Sequence, residues 1–318
     1  MRILWGDLPA HVRDEVAAWF GTPVVGEQSQ PGGFSPGVAS RLQLADGRRV
    51  FVKVVGTSRN PDAPHFHRRE AQVLDYLPTS VQAPRLLNFY DDGDWVALVI
   101  EDVEGRPPRL PWQAEELARV MAALERMAED LTPAPPAATR AFADVIARKL
   151  SGWREFRDCE HLVPDPWARE HLESLIALEA RAPAAARGST LLHADLRDDN
   201  LLITADGEVV VVDWPHAAVG AAWCDFLLFL PSAAAFGGVA PGSAWAQFGP
   251  ARAAAPDDVN AVLAAVTGFF LHQASLPAPQ NLPTLRAFQR AQGHAALGWL
   301  RERVDGRGQD GFDRCFDR

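Results

Sequence analysis

The order of strand-like and helix-like segments is the feature that most constrains how this chain can fold. The first hundred residues contain four β-type runs, at 39–44, 49–55, 85–90 and 95–100. Asp46-Gly47 separates the first two runs, and this dipeptide is typical of a tight hairpin. An amphipathic helical pattern at 65–77 lies between the two pairs. The pattern predicts a small antiparallel sheet that carries one helix.

Beyond a Pro- and Gly-rich linker at 101–111, the chain becomes mostly helical. Helical patterns occur at 113–131, 141–153, 166–180, 259–273 and 282–303. A short β-type island interrupts them at 190–192, 201–204 and 209–212. A further helix at 8–20, stopped by Gly21, precedes the first strand. The chain is therefore predicted to be α+β, with a sheet-rich N-terminal part and a larger helical C-terminal part.

Composition narrows the class of protein. Of 318 residues, 47% are apolar and 23% charged, which is typical of a folded soluble protein. A formal net charge of −10 argues against nucleic acid or anionic lipid as a partner. Three cysteines without motif spacing argue against a disulfide framework or a thiolate metal site. We therefore expect a cytoplasmic protein without a membrane partner, and no repeat or stripe indicates its oligomeric state.

The most informative segment is 191–202, which reads Leu-Leu-His-Ala-Asp-Leu-Arg-Asp-Asp-Asn-Leu-Leu. Asp195 and Asn200 lie five residues apart between two strand-like pieces, and a hairpin turn then returns the chain to Asp213. Three oxygen-bearing side chains can thus converge at one end of a small sheet. Phosphoryl transfer needs such a group, since Mg²⁺ prefers carboxylate and amide oxygens and a further carboxylate must orient the attacking hydroxyl.

This His-x-Asp-x-x-x-x-Asn motif, followed by Asp213-Trp214, resembles the aminoglycoside phosphotransferase and choline kinase family, relatives of the protein kinases. The resemblance implies that Asp195 is the catalytic base and that Asn200 and Asp213 hold Mg²⁺. It further implies that His193 braces the loop. Asp225 fits a downstream residue that anchors the loop, and Ala194 departs from the glycine that most members have.

The N-terminal part contains the other residues that a kinase requires, in the expected order. Lys53, within a β-type run, would reach the α- and β-phosphates of ATP, and Glu70 on the following helix would pair with it. A glycine-rich turn at 31–37 precedes that strand. The linker after the last strand would contact the adenine. We assign Gly33, Ser35 and Gly37 to the turn, and Glu101 and Val103 to the linker.

The resemblance implies a bilobal, protein-kinase-like fold with an N-terminal nucleotide-binding lobe at 1–102 and a C-terminal catalytic and acceptor-binding lobe at 103–318. It implies a magnesium-dependent enzyme that transfers the γ-phosphoryl group of ATP to a hydroxyl of a small molecule. An antibiotic acceptor, in resistance or self-protection, is the leading expectation. A metabolite acceptor such as choline, a sugar or an amino alcohol stays open, as does GTP as donor.

A cationic acceptor is one possibility that the charges raise. Acidic residues in the C-terminal part are candidates for its recognition: Glu155, Asp158, Glu160, Asp165, Glu170, Glu173, Asp257 and Asp258. For any single one of them, a solvated helical face is the more common explanation.

Two other functional classes fit parts of the sequence. Gly33-Phe34-Ser35-Pro36-Gly37 matches the nucleophile elbow of α/β-hydrolases. Pro36, however, has no backbone N–H for an oxyanion hole, and a strand rather than a helix follows. A pseudokinase that binds nucleotide without catalysis is the non-enzyme alternative. The presence of Lys53, Asp195, Asn200 and Asp213 together argues against it.

Overall fold

The computed structural model describes residues 3–30, 37–58, 62–279 and 282–306. The chain divides into two compact units. Unit 1 comprises Met1–Pro108 together with Asp199–Ala217, and unit 2 comprises Arg109–Asp198 together with Ala218–Arg318. The fold is α+β, as predicted. The predicted lobe boundary after residue 102 stays a prediction.

The strands within the described residues are, in chain order, β1 (Val24–Ser29), β2 (Val38–Leu44), β3 (Arg49–Gly56), β4 (Leu86–Asp91), β5 (Trp95–Glu101), β6 (Gly105–Arg106), β7 (Thr190–Leu192), β8 (Leu201–Thr204), β9 (Val209–Val211) and β10 (Ala218–Gly220). The α-helices are α1 (Ala10–Phe20), α2 (Ala63–Tyr76), α3 (Ala114–Asp130), α4 (Phe142–Lys149), α5 (Gly152–Phe156), α6 (Pro166–Glu170), α7 (Leu172–Ala185), α8 (Cys224–Gly237), α9 (Pro241–Gln247), α10 (Pro256–Ser275) and α11 (Leu285–Asp305).

Unit 1 is built on a five-stranded antiparallel sheet in the order β1-β2-β3-β5-β4. Strand β3 is central, and its Val50, Val52 and Val54 are buried on one face. Helix α1 packs on the same core through Val12, Val16 and Phe20. It ends at Gly21, whose φ of 66° is the left-handed conformation that favours glycine.

A second, smaller sheet in unit 1 joins β6, β8 and β9 in that order. Leu201 pairs with Val211 across the β8–β9 hairpin. The turn at Asp206-Gly207 places Gly207 at a φ of 86°, which explains the glycine. Since the hairpin is short, the residues just before β8 and just after β9 meet at the same end.

Unit 2 is mainly helical, with the two-stranded β10–β7 sheet at one side. Helix α10 is buried along most of its length and packs against α5, α7, α8 and α11. Two glycines allow the close approach of α5 and α10: a Cβ atom at Gly152 would collide with the backbone of Gly268, and one at Gly268 would collide with the Trp153 ring.

Several elements differ from the sequence prediction: β6, β10 and α9 were not predicted, and the pattern at 141–153 forms α4 and the start of α5. Three further differences have a clear physical reason. Strand β1 was not predicted because its Gly-Glu-Gln-Ser half has weak β propensity; it pairs through its backbone as an edge strand. Helix α8 was not predicted because it is apolar nearly all round and so lacks helical periodicity. The pattern at 166–180 forms two helices, α6 and α7, separated by His171, whose φ and ψ of −103° and 19° are not helical.

Buried Glu179 on α7 makes stability depend on pH. Its carboxylate accepts hydrogen bonds from the backbone N–H groups of Trp153 (2.8 Å) and Arg154 (3.2 Å) at the start of α5. Burial raises the pKa of Glu179 to about 7, against the smaller lowering effect of those two N–H groups. Because the folded-state pKa lies above the ordinary value, this group's contribution to stability is fully present below about pH 4.5 and is lost as the pH rises through about 7.

We therefore expect Glu179→Gln to flatten the pH dependence of the free energy of unfolding between pH 5 and 7.5. The wild-type protein should lose on the order of 1–3 kcal/mol more than the variant over that range. Urea unfolding at the two pH values measures this difference. Equal losses in both proteins would contradict the assignment.

No helix in the described part of the chain combines the length and apolar character needed to cross a membrane.

Candidate active site

Lys53 lies between two carboxylates in unit 1. It sits in the middle of β3, paired with Ala39 on one side and Leu98 on the other. Its Nζ donates to Glu70 at 2.7 and 2.8 Å and to Oδ1 of Asp213 at 2.6 Å. The structure thus brings together three of the residues that the sequence predicted, across 160 positions of chain.

The charges of this trio depend on one another. Burial alone would lower the pKa of Lys53, but the Asp213 and Glu70 carboxylates outweigh it and hold that pKa well above its usual range. Burial raises the pKa of Glu70, and the adjacent ammonium offsets part of this rise. Lys53 therefore stays a cation at any working pH.

Local geometry explains why Glu70 and Asp213 meet. Glu70 faces inward from α2 and is 1% exposed. Its neighbour Arg69 donates to the backbone carbonyls of Pro215 (2.9 Å) and Ala217 (3.1 Å), which ties the helix to the segment that follows Asp213. The amphipathic pattern of α2 predicted the helix, but the role of Arg69 was not predicted.

His67, one turn before Glu70 on α2, adds no charge to this part of the site. Burial, assisted by the nearby Lys53 cation, lowers the pKa of His67 to about 3, so its ring is neutral at working pH. Its Nε2 is buried, with no hydrogen-bond partner among the described residues.

Asn200 and Asp213 lie at the same end of the β8–β9 hairpin. The backbone N–H of Val212 donates to the carbonyl of Asn200 at 3.0 Å, so Asp213 follows directly after a paired position. Asp213 has a φ of 69°, which is uncommon for a residue other than glycine and is typical of functional sites. The backbone therefore holds a carboxylate and an amide side chain near one another.

This pair fits a magnesium ion. Mg²⁺ in nucleotide sites is held by one or two protein oxygens, with phosphates and water completing its shell. Asp213 supplies a carboxylate that is 41% exposed, and Asn200 supplies an amide oxygen. Among the residues that the structure describes, no group of three His, Cys, Asp or Glu side chains forms a metal cage, so protein ligands alone would not complete the shell.

Asp195 lies on a loop in unit 2 that two other side chains fix. Asp225, at the start of α8, accepts hydrogen bonds from the backbone N–H groups of His193 and Ala194, both at 2.8 Å. The Asp195 N–H donates to Nδ1 of His193 at 3.3 Å, so the ring proton of that histidine is on Nε2. These contacts agree with the bracing and anchoring that the resemblance implies. Burial raises the pKa of Asp225 to about 6.

Arg197 contacts Asp195 directly and was not assigned a role from the sequence. Its Nη1 donates to both carboxylate oxygens of Asp195, at 2.8 and 2.9 Å, and its side chain is only 14% exposed. A guanidinium this close favours the ionised carboxylate. The sequence feature that could have indicated this contact is a basic residue two positions after the proposed base, on the same loop.

Ala194 has a φ of 62°, in the left-handed region where a Cβ atom costs roughly 1–2 kcal/mol. We expect Ala194→Gly to stabilise the protein by about 1 kcal/mol, after the greater flexibility of glycine in the unfolded chain is subtracted. Urea unfolding measures this. Ala118→Gly, at an exposed position in α3, is the control and should destabilise by about 1 kcal/mol. Destabilisation by both changes would contradict the strain at Ala194.

The remaining predicted residues belong to the nucleotide side. Gly33 and Ser35 lie outside the described residues. Gly37 is buried against β3, where a Cβ atom would collide with the carbonyl oxygen of Val54. Glu101 ends β5 and accepts from the Arg85 N–H at 3.0 Å. The Val103 carbonyl accepts from Arg41 at 2.8 Å, so we expect the amide rather than the carbonyl of Val103 to serve the adenine. Their nucleotide-binding roles stay predictions.

The fold and this set of side chains define a small-molecule kinase. The model of the phosphotransferase enzyme family APH matches residues 31–262, and the chain belongs to that family. A search of curated proteins found no match.

Solved structures show the same fold. An aminoglycoside phosphotransferase from Alicyclobacillus acidocaldarius is 17% identical, with a TM-score of 0.56 over 88% of this chain and 91% of that one. The choline kinase LicA from Streptococcus pneumoniae is 11% identical, with a TM-score of 0.60 over 92% and 98%. The aminoglycoside phosphotransferase APH(3'')-Id from Streptomyces rimosus, solved with ADP and streptomycin, is 17% identical, with a TM-score of 0.50 over 82% and 99%.

Proposed function

We propose that this kinase uses Mg·ATP to phosphorylate a hydroxyl group of a small molecule, with Asp195 as the base. The observation that carries the nucleotide half of this proposal is Lys53 held at 2.6–2.8 Å by both Glu70 and Asp213. A buried lysine between two carboxylates is a fixed cation, and phosphates bind to such cations through charge-assisted hydrogen bonds.

Asp195 would orient the acceptor hydroxyl and accept its proton as the oxygen attacks the γ-phosphorus. The P–O bond to the leaving ADP breaks as the new bond forms. Such transfer depends on positioning and on neutralising charge, since its transition state is loose. The loop contacts of Asp225 and His193 support this role because they fix the backbone on which Asp195 lies.

Asn200 and Asp213 would hold Mg²⁺, which supplies positive charge against the phosphate oxygens when bound. Gly33, Ser35 and Gly37 would cover the phosphates, and Glu101 and Val103 would contact the adenine. The structure of a family relative with ADP and streptomycin supports a nucleotide donor and a small hydroxylated acceptor. An antibiotic is the leading acceptor class, and a metabolite is the second, since a choline kinase shares the fold.

Transfer of label from radiolabelled ATP to a pooled panel tests the proposal. The panel contains hydroxylated antibiotics, nucleosides, choline and sugars, with Mg²⁺ present and Asp195→Ala as the matched control. Label in one acceptor that disappears in the variant is the expected result. Failure of the wild-type protein to bind Mg·ATP would overturn the proposal. ATP binding without transfer to any acceptor would favour the pseudokinase alternative.

A further inference from the structure

A row of side chains extends from Asp195 to two phenylalanines in unit 2. The guanidinium carbon of Arg197 lies 5.8 Å from the ring centroid of Phe288, on α11. Phe288 in turn stacks on Phe236 of α8, with centroids 5.1 Å apart and ring planes 8° apart. We call Asp195, Arg197, Phe288 and Phe236 the aromatic row. It is continuous because each member contacts the next.

The acceptor must approach this row. Its hydroxyl has to lie within hydrogen-bond distance of the Asp195 carboxylate, so the body of the acceptor lies beside the groups that contact that carboxylate. Phe236 is 37% exposed and Phe288 is partly exposed. Phe288 is already contacted by the Arg197 guanidinium and by the Phe236 ring, so another flat apolar ring would pack on the exposed surface of Phe236 and the exposed edge of Phe288, at the centroid distances of about 4.5–7 Å at which aromatic groups interact.

The charges near the row do not favour a polyamine. On α8 (Cys224–Gly237) the single acidic residue is Asp225, which the loop N–H groups already occupy. On α11 (Leu285–Asp305) the first acidic residue is Glu302, about 20 Å along the helix from Phe288. Arg286 and Arg290 lie two positions before and after Phe288 in the sequence, and both donate to the end of α10 and the residues after it, at Gln273, Ala274 and Pro277.

One carboxylate on the loop itself has a partner: Asp198 accepts from the Ser232 hydroxyl at 3.4 Å.

Two of the acidic residues that suggested a cationic acceptor have local partners instead. Asp165 accepts from the Ala168 N–H at the start of α6, and Glu173 pairs with Arg157 at 3.2 Å. Trp167 on α6 contacts Arg301, which lies near the C-terminal end of α11, whereas Phe288 lies near its start. These contacts argue against Asp165 and Glu173 as parts of a cation site beside Asp195.

We propose that Phe288 and Phe236 are specificity-determining residues, which select an uncharged acceptor with an aromatic or flat apolar ring over a polycation such as streptomycin. Arg197 is the positioning residue that connects them to the base. This inference rests on the proposed function, since it takes Asp195 as the group that binds the acceptor hydroxyl.

Saturation-transfer NMR on the full chain tests ring selection without requiring turnover. The probes are phenyl glucoside and uridine, with methyl glucoside and streptomycin as comparators. We expect the phenyl and uracil protons to receive saturation, and the effect to fall at least fivefold in Phe288→Ala and Phe236→Ala. Phe288→Leu, which keeps apolar volume but loses the flat face, should fall between. Phe89→Ala, which removes a phenyl of similar exposure (39%) from β4, is the matched control and should not change it.

Two results would overturn the inference: ring probes that give no effect, or streptomycin that binds as well as phenyl glucoside and is insensitive to both phenylalanine variants. Melting temperatures of all variants show whether a loss reflects unfolding. The fate of the proposed function is read separately, from Mg·ATP binding and label transfer. A kinase that phosphorylates streptomycin but ignores the ring probes would retain the proposed function and refute only the acceptor class.

Discussion

Replacing Asp195 by alanine is expected to lower the turnover rate of phosphoryl transfer by about 10²–10⁴-fold, the usual contribution of a positioned general base. ATP binding should change little, because Lys53, Glu70 and Asp213, which are proposed to bind the phosphates, lie on other segments. Turnover is measured by label transfer, and nucleotide binding by calorimetry with ADP and Mg²⁺.

The contact with Arg197 shapes the controls for this experiment. Alanine leaves a largely buried guanidinium without the carboxylate that accepts its two hydrogen bonds, so some loss of stability is expected. Asp195→Asn keeps an acceptor oxygen for Arg197 but removes the base, and it should lose turnover to the same degree while it folds better. Asp206→Asn, on the exposed β8–β9 turn, controls for loss of a carboxylate and should retain full turnover. Near-normal turnover in both Asp195 variants would refute its role as base.

Asp213→Asn is expected to remove magnesium-dependent ATP binding and to lower the catalytic efficiency at least about a hundredfold. Loss of groups that merely support metal ligands costs 10- to 100-fold, and a ligand itself should cost no less. Asparagine suits the test because it tolerates the φ of 69° at this position, so the charge changes while the backbone does not. Titration of ATP affinity against Mg²⁺ concentration measures the effect.

Glu70→Gln is the matched control for this variant. It removes the other carboxylate that holds Lys53 but leaves Asp213 unchanged. We expect it to weaken ATP binding while the dependence on Mg²⁺ concentration is retained. If both variants lose the magnesium dependence equally, or if Asp213→Asn retains it, then Asp213 is not a metal ligand.

The sequence predicted the parts of the site that short-range backbone geometry controls. The spacing of Asn200 and Asp213 around a β-hairpin places them at one end because antiparallel pairing sets which residues face each other. Lys53 within an alternating strand and Glu70 on an amphipathic helix were predictable for the same reason, since periods of two and 3.6 determine which side chains share a face. The same logic predicted four of the five strands of the large sheet.

Tertiary packing alone decided the rest. Helix α8 lacks periodicity because it is buried on nearly all sides, and β1 is held by its partner strand rather than by its own propensity. The contact between Phe236 and Phe288 joins two residues 52 positions apart on different helices, and nothing in either local pattern indicates it. The position of an apolar or aromatic residue in the sequence does not indicate which residue of another helix it will contact. The side chains that surround Asp195 are therefore determined only when the helices pack. The sequence therefore determined the reaction type, and the packing of α8 and α11 decided the surroundings of the proposed base.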